Sequence, residues 1–192
     1  MKLKQVFMAL ALAAVVAGPA SAANNDFALY GSYTKPQDAD NSWGGGVKLR
    51  FGFFEIRSTY FNGINERRSD FPCPPLCSNS KPRIQFVPLE AGLVYKFRQD
   101  PTIQPYLGAG GGYYFLRQTN SAFGKLNDEA GFYGVIGTDI NFSRNVGLMI
   151  EGNYRRVRAT VKDNSSDIPT LREGVRLQLG GPGVNAGVVW HF

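Results

Sequence analysis

Apolar and polar residues alternate with period two along most of this chain. The last nine residues, V-N-A-G-V-V-W-H-F, show it most clearly. Val184, Ala186, Val188, Trp190 and Phe192 fall on one strand face; Asn185, Gly187, Val189 and His191 fall on the other. The first face is wholly apolar and ends on two aromatics. Two settings fit such a strand. One is an edge of a soluble β-sandwich; the other is a wall whose outer face touches lipid, with rings at the membrane–water boundary. The rest of the chain decides between them.

Seven earlier segments repeat the alternation. Residues 26–34 place Phe27, Leu29, Gly31 and Tyr33 on one face. Residues 43–51 set Val47, Leu49 and Phe51 against Lys48 and Arg50. Residues 53–62 set Phe54, Ile56, Ser58 and Tyr60 against Glu55, Arg57 and Thr59. Residues 83–97 set Leu89, Leu93 and Tyr95 against Glu90 and Lys96, and Pro88 among them predicts a bulge or a locally unpaired position. Residues 103–117 carry Q-P-Y-L-G-A-G-G-G-Y-Y-F-L. No G-K-[ST] follows those glycines, so they suit close approach of backbones or bulky lumen side chains rather than a phosphate loop. Residues 129–142 and 146–161 give two more strands, the second with Glu151 and Arg155 on its polar face. The eighth runs over 174–192, interrupted near Gly180, Gly181, Pro182 and Gly183.

The connections alternate long and polar with short and tight, Gly52 marking one of the tight ones. That rhythm predicts an all-β fold: an eight-stranded antiparallel up-and-down transmembrane β-barrel with both termini on one side. Strands of this length cross a bilayer at a tilt, and closure leaves no unsatisfied edge in hydrocarbon. The mean hydropathy of −0.20 is compatible, because lipid-facing and lumen-facing residues average out. The 23 glycines and 13% aromatic residues lean the same way.

Residues 1–22 read as a cleaved secretory signal. Lys2 and Lys4 form its basic start, residues 6–17 its apolar core, and Ala20-Ser21-Ala22 its cleavage site. Residues 23–192 are then one barrel domain. Without the two leader lysines the formal charge falls from +6 to +4. Cys73 and Cys77, in F-P-C-P-P-L-C, suit a local disulfide in an exported chain. A zinc site would need more ligands, and the one histidine, His191, is far away in sequence.

The signal, the eight strands, I-Q-P-Y-L-G-A-G-G-G-Y-Y over 103–114 and the terminal V-V-W-H-F resemble the small outer-membrane β-barrels of Gram-negative bacteria, the broad OmpA/OmpX/OmpW-like superfamily. The resemblance implies an outer-membrane location, periplasmic termini and short turns, and four long extracellular loops. It also implies that Trp190 and Phe192 act as a signal to the barrel-assembly machinery. The aromatics then sort into two belts, with Phe27, Phe51, Phe54, Tyr95, Phe97, Phe142, Trp190 and Phe192 near the terminal rim and Tyr33, Trp43, Tyr60, Phe115 and Phe132 near the other.

The lumen-facing set includes Lys48, Arg50, Glu55, Arg57, Glu90, Lys96, Asp139, Glu151 and Arg155. An eight-stranded barrel is narrow, so these should pair in a plugged interior. They form either a structural salt-bridge network or a gated narrow pore in which Glu90 and Glu151 exchange basic partners. No enzyme is expected, since His191 sits at the terminal end with no second histidine. No cofactor or metal is expected either. Basic residues of the loops and strand ends, Arg156 and Arg158 among them, suit lipopolysaccharide phosphates. The expected partners are outer-membrane lipid, lipopolysaccharide and the assembly machinery, not nucleic acid, for a monomeric barrel. The expected role is a non-enzymatic one in envelope integrity or surface contact. The alternative is a narrow OmpW-like channel for small or hydrophobic solutes, with a lateral opening near Pro88 and residues 180–183 where strand pairing fails.

Alkylation before reduction is expected to leave Cys73 and Cys77 unlabelled. Labelling of both in native cells would rule the disulfide out.

Overall fold

The computed structural model describes residues 25–37, 40–65, 83–97, 102–118, 125–126, 128–162 and 176–192. The signal segment, Cys73 and Cys77 lie outside them. Eight long strands form the wall: β1 (Asn25–Thr34), β2 (Ser42–Phe51), β3 (Phe54–Asn65), β4 (Arg83–Lys96), β5 (Ile103–Gln118), β6 (Glu129–Asn141), β7 (Val146–Lys162) and β8 (Pro182–His191). Each pairs antiparallel with its sequence neighbours. β8 then pairs with β1, from Asp26↔His191 to Thr34↔Gly183, and the barrel closes. Two short ladders prolong the wall at the long-loop end: Lys125–Leu126 and Arg176–Gln178 both pair with β7.

The alternation read from the sequence is the alternation of the wall. On β3, Phe54 and Ile56 are exposed while Glu55 and Arg57 are buried. On β8, Val184, Ala186 and Trp190 face out while Asn185 and Val189 face in. Exposed aromatics ring the terminal end, led by Phe53, Phe54, Tyr95, Phe142 and Phe192; Trp43, Tyr113, Phe132 and Tyr154 ring the other. At a membrane boundary such amphipathic rings stabilise the position of the wall. The tight turns follow from local chemistry. Gly52 takes a positive φ of 60°, which costs glycine little. The Ser143 Oγ accepts from the Asn145 and Val146 N–H groups at the β6–β7 turn.

Inward glycines make room for lumen tyrosines. A Cβ on Gly46 would lie 2.5 Å from the Tyr30 ring, on Gly137 2.6 Å from the Tyr106 ring, and on Gly92 2.6 Å from the Tyr133 hydroxyl. All three rings are buried. The glycine-rich run of β5 packs in the same way: a Cβ on Gly110 would lie 2.8 Å from the Tyr133 ring, and one on Gly112 2.8 Å from the Glu90 side chain.

Two expectations change. Pairing does not fail at residues 180–183. The Leu179 and Arg155 N–H groups donate to Val157 O and Gly181 O, and on the other side Gln37 and Lys35 donate to Gly180 O and Pro182 O. These bonds continue the β7–β8 and β8–β1 registers beyond the regular ladder. The glycines let the segment press against its neighbours instead of breaking from them: a Cβ on Gly180 would meet Arg155 O at 2.3 Å. At Pro88 the failure is one-sided. Pro88 pairs with Tyr114 in an unbroken β4–β5 ladder. Toward β3, however, the ladder skips from Ser58↔Leu89 to Phe61↔Phe86 and then shifts register before Ile64. Proline has no N–H to give, and the loss falls on that seam.

Gly137→Val should destabilise the barrel by about 1–3 kcal/mol, because it forces Tyr106 from its seat. The outward Gly111→Val should cost much less, since its nearest neighbour is 3.7 Å away. Urea unfolding in detergent micelles checks the contrast; equal losses would contradict the lumen-packing account.

Candidate functional site: the lumen charge network

Register brings the inward charges into stacked layers. At the terminal end Asp26, on β1, meets Lys96 and His191. The next layer holds Arg50, which donates to Glu55 Oε2 at 2.9 Å and to Asp139 Oδ2 at 2.7 Å. Above it, Glu151 accepts from four groups: Lys48 Nζ (2.8 Å), Arg57 Nη1 (2.6 Å), Asn185 Nδ2 (2.7 Å) and Tyr106 OH (3.0 Å). The topmost charged layer is a two-pronged pair, Arg155 Nε and Nη2 on Glu90 at 2.8 and 3.3 Å, joined by the Tyr114 hydroxyl at 2.8 Å. Arg57 connects the layers, with Nε 3.2 Å from Glu90 and 3.4 Å from Glu55.

All nine charged residues read from the sequence as lumen-facing lie in this network. Eight are at most 2% exposed; Lys96, near the mouth, keeps 14% of its side chain exposed. The electrostatics are closed on themselves. Lys48, Arg50, Arg57, Lys96 and Arg155 face Asp26, Glu55, Glu90, Asp139 and Glu151, five charges of each sign. Ring faces add to the packing: the Arg50 guanidinium lies 4.0 Å from the Tyr106 centroid and that of Arg57 4.1 Å from Tyr133. Above the plug the lumen turns apolar. Phe61, Phe86, Leu116, Val157 and Leu179 are buried there, with Phe86 stacked on Tyr114 at 5.6 Å.

Several participants were not singled out from the sequence: Asp26, Tyr106, Tyr114, Asn185 and His191 as a ligand of Asp26. Each lies on the inward parity of its strand, which was the available signal. His191 has both ring nitrogens engaged, Nδ1 with Asp26 at 2.6 Å and Nε2 with Asn141 at 2.8 Å. It fastens the last strand to β1 and β6. Among the described residues no His/Cys/Asp/Glu cluster could hold a metal ion. Glu90 and Glu151 share Arg57 at once, so an exchange of partners needs no long movement.

The sequence matches the family described as outer membrane protein beta-barrel domain over residues 7–192. Among solved structures, the fold is similar to the outer membrane protein OprG from Pseudomonas aeruginosa, with 15% identity and a TM-score of 0.67 over 89% of this chain and 96% of that one. It is similar to the E. coli outer membrane protein W, with 13% identity and a TM-score of 0.58 over 91% and 100%. It is also similar to Neisserial surface protein A, with 13% identity and a TM-score of 0.55 over 88% and 96%. At these identities the likeness is one of fold. No curated protein sequence matches the chain.

Glu151→Ala leaves Lys48 and Arg57 short of a buried counter-charge. It should cost about 3–5 kcal/mol in urea unfolding. The outward Ile150→Ala should cost distinctly less. A Glu151 variant as stable as the parent would mean that the network does not hold the barrel together.

Proposed function

We propose that this chain, which belongs to the outer membrane protein beta-barrel family and resides in the outer membrane, admits small apolar solutes from its long-loop end and releases them sideways through its wall. The observation that carries this is the position of the β3–β4 seam. The missing pairs, Thr59 with Pro88 and Tyr60 with Val87, fall between the Arg57↔Glu90 pair and the Phe61↔Phe86 pair. They stand where the apolar upper lumen meets the charged plug. A solute descending past Phe61 and Phe86 meets buried charges that it cannot solvate. The wall beside it is the stretch where the β3–β4 ladder lacks those two pairs. Ser58 and Val87, outward by alternation yet buried, close that stretch in the resting barrel.

This reading takes the long loops as extracellular and the termini as periplasmic. It treats the plug as a stop for water and ions rather than as a conducting filter. The second reading is the structural and surface role expected from the sequence. Its support is the same plug, which makes a rigid, closed cylinder able to display loops.

Uptake of a labelled medium-chain alkane by cells producing the protein separates the two. Pro88→Val offers β3 the missing donor. The one restored bond, about 0.5–1.5 kcal/mol, should lower the open population, and so uptake, severalfold, by up to about tenfold. The refolded protein should stay silent in planar bilayers. Uptake independent of the protein would leave the surface role standing; uptake unchanged by Pro88→Val would reject the seam as the exit.

A further inference from the structure

The outer face of β7, β8, β1 and β2 carries two features that solute passage does not use. The first is a trough. Gly31 lies opposite Gly45 on one side and Ala186 on the other, so three adjacent strands present nothing larger than a methyl at one level. Leu29, Val47 and Val188 edge this trough, which holds about 490 Å³. The second is a group of cations at its long-loop end. Arg156 and Arg158 are successive outward positions on β7, about 7 Å apart. Lys35 follows β1. Its N–H donates to Pro182 O, and Pro182 is the partner of Tyr154. Lys35 thus stands two strands across from β7, about 10 Å, and one outward step below Arg156.

All three cations are exposed, and none has an ion-pair partner among the described residues. The strand between them offers only Gly180 and Pro182 at this level. The nearby Asp128 carboxylate is engaged by the Leu116 N–H at 3.0 Å. Aromatic rings separate the cations from the trough: Tyr33 packs on Trp43 at 4.8 Å, and Tyr154 is half exposed. Trough, rings and cations follow the order of acyl chain, interface and headgroup in a membrane leaflet.

We propose that this face is a docking site for a phosphorylated glycolipid of the outer leaflet. Its acyl chains lie in the Gly31–Gly45–Ala186 trough, and its phosphates are held by Arg156, Arg158 and Lys35. Guanidinium forks match phosphate oxygens in pairs. Three cations spread over about 16 Å suit two phosphates carried on one sugar backbone better than a single phosphodiester.

Native mass spectrometry of the full mature barrel in detergent tests this. The probes are a hexa-acylated bisphosphorylated disaccharide lipid, phosphatidylglycerol and phosphatidylcholine. The wild type should retain the glycolipid most tightly. The combined Lys35→Gln, Arg156→Gln, Arg158→Gln variant should bind it at least about tenfold more weakly. Gly31→Leu with Gly45→Leu should also weaken binding. A Cβ at either site has 3.8 Å or more of space, so this filled trough should still fold. Arg144→Gln, at the opposite rim, should bind as wild type. Heat-modifiable gel mobility confirms that each variant is folded. Undiminished binding by the triple variant, or equal retention of all three lipids, would overturn the site. Phosphatidylglycerol held as tightly as the glycolipid would overturn the two-phosphate assignment.

Discussion

Ten charged side chains share the interior of an eight-stranded barrel, nine of them almost wholly buried, so they must find their counter-charges in one another. That constraint governs the molecule. A buried ion pair gives little net stability by itself, yet removing one partner costs several kcal/mol. The network is therefore strict about geometry. Slipping any strand by one residue would turn Lys48, Arg57 or Glu151 into the lipid and bring Leu49, Ile56 or Ile150 into the plug. The charge layers select the register, and the register places everything else.

The tyrosine seats follow from the same constraint. A narrow lumen filled by guanidinium groups needs flat surfaces between them and hydroxyls that can reach carboxylates. Tyr106 does both, donating to Glu151 and lying beneath Arg50. It fits only because Gly137 has no side chain. Tyr114 repeats the pattern with Glu90, where Gly112 and Gly131 leave the space. Glycine weakens a strand through entropy, and here ring packing across the lumen offsets that loss. The outward glycines have no such seat, which is why Gly31 and Gly45 shape an external trough instead.

Much of this was legible because period two is a strong signal when the two faces meet opposite environments. Lys48 and Arg50 beside Val47 and Leu49 can be sorted without any knowledge of their partners. What alternation does not carry is pairing across the lumen. Asp26, 165 positions from His191, meets it only through closure of β1 on β8. Gly180 to Gly183 looked like a break because glycine and proline usually end a strand. The neighbouring carbonyls came close enough to use the glycines, and the ladder's hydrogen bonds passed through. Pro88 was informative about the presence of a defect but not its side, because a missing N–H does not say which neighbour it would have served.

The plug and the seam constrain one another energetically. Axial passage through this lumen requires parting charge pairs such as Arg155–Glu90 and Arg57–Glu151, at several kcal/mol for each pair broken. Parting β3 from β4 beside Pro88 requires moving side chains across a stretch that already lacks two backbone pairs. Each such pair would have contributed about 0.5–1.5 kcal/mol. An apolar solute gains nothing from the charged layers and loses nothing on entering hydrocarbon. For the proposed solute route, the lower barrier and the favourable destination lie in the same direction, outward through the wall. A plug strong enough to close the axis is then not an obstacle to such a route but its floor.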